Sequence, residues 1–216
     1  MNDSDQIKTF FEKHSSQVDS YYSNAQKPFY RKILDRIFRS SIRRRLKLAL
    51  EECQRNPQAN VLDVGCGAGR LAVELAQTGA FRITGIDFSS SMIAMANEAA
   101  RQNNCQEKCR FILRDFLETD LNEQFDVSVA LGFFDYTRNP AEHLKKMKKV
   151  TKGKIIVSFP AKWRMRNIVR VIRLAVLSCP VNFYTPDKIR RIFDEAGVSR
   201  YAIKPLGRDY FVVADV

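Results

Sequence analysis

The chain has 216 residues, of which 45% are hydrophobic and 28% are charged, a composition that suits one well-cored globular domain with a small appendage. No run approaches the roughly 18 uninterrupted apolar residues of a membrane span, and the polar opening residues lack the apolar centre of a secretory signal. We therefore expect a cytoplasmic protein, and the formal net charge of +12 leaves open a position at the periphery of a membrane.

The first part of the chain, residues 1–56, is predicted to form a helical extension or cap. From Pro28 onward, apolar residues recur three and four positions apart, and arginines and lysines occupy most of the remaining surface. The segment from Lys27 to Lys47 holds nine basic residues and one acidic residue, with Ser40 and Ser41 as a bend or break. Such a helix can lie on an anionic membrane, bind a polyanion or pack its apolar face on the domain. We favour packing for the apolar face.

A strand, a glycine-rich turn and the start of a helix are predicted in the run that begins at Val61. Apolar residues around Asp63 indicate a buried parallel strand, and three alternate glycines at 65, 67 and 69 indicate a tight turn. In α/β sheets, nucleotide-like ligands bind at such turns. The dinucleotide fingerprint would place its third glycine at Arg70, and a carboxylate at the strand end would repel a diphosphate. The turn therefore favours a ligand with a positively charged group.

Acidic residues follow four successive predicted strands, at Asp63, Asp87, Asp115 and Asp135. Asp87 lies 18 residues beyond Gly69, close to the spacing at which a second-strand carboxylate meets ribose hydroxyls. Together the four acids would give one edge of the sheet a negative rim. Such a rim suits a ligand that carries a sulfonium or an ammonium group.

Beyond the fourth strand, helices and strands continue to alternate. Pro140 begins a helix with four lysines on its outer face, which we expect to be solvated. A fifth strand is predicted at 153–159, and a last helix begins at Pro186, ahead of two final strands at 198–204 and 210–214.

The stretch at about 161–182 departs from a minimal α/β fold and is predicted to be a basic helical insertion. Arg166, Arg170 and Arg173 share one helical face, opposite an apolar one. Because it follows the fifth strand at the ligand edge, we expect it to form a wall or lid of a substrate pocket, with the three arginines binding substrate. A packed connecting helix with solvated arginines is the alternative.

Metal binding is not expected. The five cysteines form neither a paired framework nor the spacing of a zinc site, and the two histidines, His14 and His143, are far apart in the sequence.

These motifs resemble those of the class I S-adenosylmethionine-dependent methyltransferases. The runs VLDVGCGAGR, GIDFSSSM, RDFLE and FDVSVALG occur in the order and spacing of that family, over about Asn60 to Val216. The resemblance implies an α/β, Rossmann-like fold at 57–216, with a seven-stranded, mostly parallel sheet, helices on both faces and an antiparallel last strand. It also implies S-adenosyl-L-methionine as the cofactor.

The resemblance assigns cofactor-binding roles to the residues at the strand ends. The glycine loop would pass the methionine part of the cofactor, Asp87 would hold the ribose hydroxyls, and Asp115 would lie near the adenine amino group. The loop after the fourth strand would pass under the sulfonium. A tyrosine near the N-terminus would fold over the cofactor, as in many methyltransferases, or pack on the domain surface. The residues implied are Tyr22, Asp63, Gly65, Cys66, Gly67, Gly69, Asp87, Phe88, Met92, Asp115, Phe116, Leu131, Gly132 and Phe133.

Methyl transfer is an in-line displacement, so the protein must hold the acceptor atom close and aligned. A carboxylate acceptor needs no base, whereas a hydroxyl needs one. In order of preference, the candidates for a base are Asp135, Tyr136, His143 and Tyr184. Asp135 comes first because it lies just past the fourth strand, and its alternative role is to hydrogen-bond the cofactor or the loop backbone.

The predicted function is methylation of a small acceptor that is anionic, lipophilic or presented at a membrane surface, with O-methylation favoured. The regions around Asp135, Phe159 and Tyr184 loosely resemble the magnesium-protoporphyrin O-methyltransferase branch, which has a histidine at the position of Asp135. An RNA methyltransferase is less favoured, because the loop at 132–135 lacks the Asn/Asp-Pro-Pro-aromatic motif of base-amine methyltransferases. A non-catalytic cofactor-binding or scaffold protein is disfavoured because the binding motifs are intact.

Overall fold

A computed structural model describes residues 29–162 and 182–216, with side chains from residue 41 onward in the first helix. Tyr22, Arg166, Arg170, Arg173 and most of the insertion predicted at about 161–182 lie outside the described residues. The helices are α1 (Phe29–Cys53), α2 (Arg70–Thr78), α3 (Ser90–Gln102), α4 (Pro140–Val150) and α5 (Pro186–Glu195). The strands are β1 (Asn60–Val64), β2 (Arg82–Asp87), β3 (Cys109–Leu113), β4 (Phe125–Ala130), β5 (Thr151–Pro160), β6 (Arg200–Leu206) and β7 (Asp209–Asp215).

The described strands form one seven-stranded sheet in the order β3-β2-β1-β4-β5-β7-β6. Neighbouring strands from β3 to β5 are parallel, and β7 runs antiparallel to both β5 and β6. The mostly parallel sheet with an antiparallel last strand, as the resemblance implied, is therefore confirmed. The strand order reverses between β1 and β4. In open α/β sheets, ligands bind in a crevice at the carboxyl ends of the strands at such a point.

Alternate residues of the strands bury their side chains in two separate cores. On β1, Leu62 packs in a core with Leu144 of α4 and Phe193 of α5, whereas Val61 packs in a core with Ala49 of α1. Successive side chains of a strand point to opposite faces, so helices must cover both sides of the sheet. The predicted helices on both faces are confirmed.

Helix α1 is continuous from Phe29 to Cys53, so a break at Ser40 and Ser41 is wrong, whereas a bend there stays a prediction. Serine weakens a helix when its hydroxyl competes for local backbone groups. The Ser41 hydroxyl instead donates to the carboxylate of Asp209, at the start of β7. Because the Ser41 hydroxyl is bonded to Asp209, it does not compete for the backbone groups of the helix.

The lysine-rich face of α4 is largely solvated, as expected: Lys145, Lys148 and Lys149 are exposed, and Lys146 is half-buried. Lys146 Nζ donates to the carbonyls of Leu117 and Thr119 at 2.8 and 2.6 Å, and Lys148 Nζ donates to the carbonyl of Gly197 at 2.6 Å. Lysine can lay its stem along the surface and deliver its charge to carbonyls that end a loop or helix. Two of the four lysines thus connect α4 to neighbouring loops.

Candidate functional site

The glycine loop after β1 is held against β2 and has little room for side chains. The amides of Gly65 and Cys66 donate to the carbonyl of Ile86 at 2.8 and 3.1 Å. Gly65 and Gly69 have φ angles of +69° and +74°, in the left-handed region that favours glycine. A Cβ at Gly65 would lie 2.6 Å from a ring carbon of Phe133. Gly65 therefore allows a close approach between this loop and the loop after β4.

The carboxylate of Asp87, at the end of β2, joins this loop to the start of α3. Its Oδ2 accepts the Gly67 amide at 2.9 Å, and its Oδ1 accepts the Ser89 amide at 2.9 Å. Burial raises the pKa of Asp87, and these backbone donors oppose the shift. Each carboxylate oxygen accepts up to two hydrogen bonds, so Asp87 retains the capacity to accept a pair of hydroxyls.

Asp63 is a buried acid at the end of β1, with 4% of its surface exposed. Burial, together with the nearby negative charge of Asp87, raises the pKa of its carboxyl to about 7. The charged carboxylate form is thus energetically unfavourable at neutral pH. A cation placed beside it would stabilise that form. The pair formed by Asp63 and Asp87 therefore fits a positively charged ligand.

The loop after β3 brings an aromatic ring towards this crevice. Phe116 is buried, its ring stacks near that of His143 with centroids 6.3 Å apart, and Lys146 Nζ lies 5.3 Å from its centroid. The neighbouring Asp115 is exposed, and its Oδ1 accepts the Leu117 amide at 2.7 Å. The Phe116 ring is thus packed in the core rather than exposed for stacking, and Asp115 is the exposed polar group of this loop.

The other predicted cofactor residues lie on α3 and on the loop after β4. Met92 is buried on α3, where its amide donates to the Ser89 hydroxyl that caps the helix, and Phe88 is half-buried. The residues of the loop after β4 are all half-buried: Leu131, Gly132 and Phe133.

The ring of Phe133 connects the loop after β4 with His143. It meets the His143 ring edge-on at a centroid distance of 5.1 Å, and the Phe134 ring at 5.5 Å. His143 therefore lies beside the loop predicted to pass under the sulfonium.

The four candidate bases differ in how their polar atoms are engaged. The Tyr184 hydroxyl is buried and donates to the Phe134 carbonyl at 2.9 Å, and burial with the charge of Asp135 raises its pKa. This favours a structural role for Tyr184. Asp135 is only 2% exposed, whereas Tyr136 is half-buried.

His143 is half-buried, and its Nδ1 lies 2.9 Å from the carbonyl of Asn139. Burial lowers its pKa, although the charges of Asp115 and Glu142 oppose the shift and that of Lys146 adds to it. Of the four candidates, His143 combines a lowered pKa with a position against Phe116 and Phe133.

Sequence reasoning missed three polar residues that shape this site. Asn182 donates its amide to the Asp135 carbonyl at 2.8 Å and its side-chain nitrogen to the Thr137 carbonyl at 2.8 Å. Ser158 of β5 accepts the Gly132 amide at 2.9 Å, and Arg45 of α1 donates to Ser158. The only sequence signal for Arg45 is its spacing of four residues from Ala49, which places it on the buried face of α1.

A family profile described as a methyltransferase domain matches residues 55–197. The chain belongs to this methyltransferase family. The match covers the glycine loop, the acids that follow β1 to β4 and the last helix, and it does not include β6 and β7.

Relatives by sequence are methyltransferases or lipid-modifying enzymes. The mitochondrial ubiquinone biosynthesis O-methyltransferase of Dictyostelium discoideum is 29% identical over 131 residues, which are 53% of this chain and 41% of that protein. The cyclopropane-fatty-acyl-phospholipid synthase of Escherichia coli K12 is 33% identical over 97 residues, covering 43% of this chain and 22% of the synthase. The matches thus span less than half the length of these relatives.

Among solved structures, magnesium protoporphyrin IX methyltransferase (ChlM) from Synechocystis PCC 6803 with bound SAH is similar over 99% of both chains, with a TM-score of 0.77 and 19% identity. The same enzyme with bound SAM gives the same score at 18% identity, covering 100% of this chain and 97% of that one. This likeness establishes the Rossmann-like methyltransferase fold. The second ChlM structure contains S-adenosyl-L-methionine (SAM). The acid pair and the glycine loop of this chain fit the positive charge of such a molecule.

Replacing Asp63 by asparagine tests the cost of burying this acid. The folded-state pKa of about 7 exceeds the ordinary value of 3.8. The cost of ionising the buried carboxyl is therefore absent below about pH 4 and grows as the pH rises from there to 7. Above that pH it levels off at up to about 4 kcal/mol. We expect Asp63→Asn to be more stable than the wild type at pH 8, by a margin that shrinks towards pH 5, and to bind SAM more weakly. Urea unfolding at pH 5 to 8 measures the margin.

The matched control for Asp63→Asn is Glu118→Gln, which neutralises an exposed acid of the loop after β3. Its stability relative to the wild type is expected to change little with pH. A margin for Asp63→Asn that stays constant from pH 5 to pH 8 would contradict a raised pKa at Asp63.

Proposed function

We propose that this SAM-dependent methyltransferase transfers the methyl group to an oxygen atom of a small, lipophilic or anionic acceptor, with His143 as the general base. The observation that carries the proposal is the environment of the His143 ring, which lies against Phe116 and Phe133 with one nitrogen engaged by the backbone. Asp135, the first choice from sequence, is the second candidate because its side chain is almost fully buried.

The hydrogen bond to Asn139 selects the tautomer of His143. A carbonyl only accepts, so Nδ1 must carry the proton, and Nε2 then has a free lone pair. Because burial lowers the pKa, the ring is neutral at physiological pH and is able to take a proton from an acceptor hydroxyl.

The remaining residues of the site would bind and orient the cofactor. SAM supplies an electrophilic methyl group on a sulfonium. Asp63 and Asp87 would offset the positive charge of the bound cofactor, and Asp87 would accept the ribose hydroxyls. The left-handed glycines would let the backbone approach the cofactor closely, and Phe133 would help exclude water from the reacting atoms.

The names of the relatives favour a lipophilic or anionic acceptor, since ubiquinone and phospholipids are lipids and protoporphyrin IX carries carboxylates. These names motivate the choice of acceptors for testing.

A membrane-peripheral location is part of the proposal. No described helix is long and apolar enough to cross a membrane. On α1, the exposed Arg43, Arg44 and Lys47 give the helix a basic outer surface. Basic side chains near an anionic lipid surface each contribute about 1 kcal/mol of attraction.

The acceptor class is tested by incubating the protein with methyl-labelled SAM and a fractionated extract of its own cell. We expect label in the lipid-soluble or small anionic fraction. Label in the RNA fraction alone would contradict the proposal and favour an RNA methyltransferase.

Replacing His143 by phenylalanine tests the base. The variant keeps a ring against Phe133 and removes the lone pair, so we expect kcat to fall by about 100-fold while the affinity for S-adenosylhomocysteine (SAH) changes little. The wild-type kcat should rise with pH along an acid limb with a pKa below the ordinary 6.5 of histidine, and stay flat above it. Steady-state kinetics from pH 5 to 8 and calorimetry measure the two effects. A full rate in His143→Phe, with no acid limb in the wild type, would mean that no histidine base is used.

Liposome flotation tests the membrane surface. We expect binding to anionic vesicles and little binding to neutral ones, with Arg43→Gln/Arg44→Gln weakening binding by roughly 25-fold, at about 1 kcal/mol for each lost charge. The control is Lys145→Gln/Lys149→Gln, which removes two exposed charges from α4. An equal loss in both double variants would show that α1 has no specific membrane role.

A further inference from the structure

Arg45 is a buried arginine on the inner face of α1. Only 8% of its surface is exposed, its Nη1 donates to Ser158 Oγ at 3.3 Å, and its Nε lies 3.8 Å from Oδ2 of Asp209. Ser41, one turn earlier on α1, donates to the same carboxylate oxygen. Burying a guanidinium is costly unless charged and polar partners compensate. This cluster therefore marks the place where α1 docks on the ends of β5 and β7.

Ser158 connects the guanidinium to the loop after β4. It is fully buried in β5, and its Oγ accepts the Gly132 amide at 2.9 Å as well as the bond from Arg45. Gly132 has a φ angle of +75°, and a Cβ built there would lie 3.6 Å from both Nη1 and Nη2 of Arg45. The guanidinium thus lies directly over the backbone of Gly132.

We propose that Arg45 is a positioning residue. It acts through Ser158 to hold the loop Leu131–Phe133 in the conformation that binds the cofactor. The inference rests on the proposed function in one respect, which is that this loop passes under the sulfonium of the cofactor. Its consequence is that α1, which is remote in sequence from the loop after β4, sets the geometry at the reacting end of the site. Small displacements of a reacting group reduce the rate of group transfer strongly.

The geometry also explains why the residue is an arginine. A planar guanidinium presents Nε to Asp209 and Nη1 to Ser158 at the same time. The single ammonium group of a lysine can contact only one of these two partners, so the other loses its contact. Arg45→Lys therefore retains a cation beside Asp209, avoids an unpaired buried carboxylate and releases Ser158.

Amide hydrogen exchange at Gly132 reports this contact directly. In Arg45→Lys we expect the Gly132 amide to exchange about tenfold faster than in the wild type, and the Kd for SAH to rise about tenfold. The Cys66 amide, which is bonded to the Ile86 carbonyl across the site, should exchange at an unchanged rate. Ser158→Ala should give changes of the same size, and the double variant should add little, because both substitutions break one chain of contacts.

The matched control is Arg44→Lys, the same substitution at the exposed neighbouring position, which should leave both measurements unchanged. Unchanged exchange at Gly132 in Arg45→Lys, or an equal rise at Gly132 and Cys66 that reports general destabilisation, would overturn the inference. If wild-type protein fails to bind SAH, the proposed function fails, and the Gly132 amide alone then decides whether Arg45 holds the loop.

Discussion

The burial of two carboxylates at adjacent strand ends is the constraint on which the site depends. Asp63 lies at the end of β1 and Asp87 ends β2. The parallel register pairs Asp63 with Gly85, two residues before Asp87, so the two acids are neighbours at one edge of the sheet. Burial raises the pKa of both carboxyls, and the negative charge of Asp87 raises the pKa of Asp63 further. An acid pair of this kind destabilises the free protein at neutral pH, and a cationic ligand relieves the cost. Because a bound sulfonium compound would remove this destabilisation, the same free energy would contribute to its binding affinity.

The rest of the architecture holds backbone segments around this pair. Asp87 holds the Gly67 amide on one side of the crevice, and Ser158 holds the Gly132 amide on the other. Each loop is thus secured by a side chain from a neighbouring strand, which limits its motion more than its own short sequence could. The proposed role of Arg45 extends the same principle to α1. On the aromatic side, Lys146 connects the loop after β3 to α4 and lies over the Phe116 ring.

The sequence allowed the local parts of this structure to be predicted. Alternating strands and helices, the tight glycine turn and the acids at the strand ends all arise from short-range patterns. The family motifs implied the mostly parallel seven-stranded sheet with an antiparallel last strand. The contacts of Arg45 and Ser41 could not be predicted, because Asp209 lies 168 residues from Ser41 and a basic amphipathic helix gives no sign of a buried ion pair. Tyr184 was a candidate base by sequence, but its hydroxyl is engaged with a carbonyl 50 residues away. A sequence shows which residues are charged or carry a hydroxyl group. Their roles here depend on the residues they contact, which are distant in the sequence.

The pKa of Asp63 tests the central claim most directly. Carbon-13 NMR of aspartate-labelled protein, with the Asp63 resonance assigned from Asp63→Asn, follows the titration of this carboxyl with and without SAM. The account predicts a pKa near 7 in the free protein and a value well below 7 with SAM bound. A pKa close to the ordinary 3.8 in the free protein, or one that SAM leaves unchanged, would contradict it.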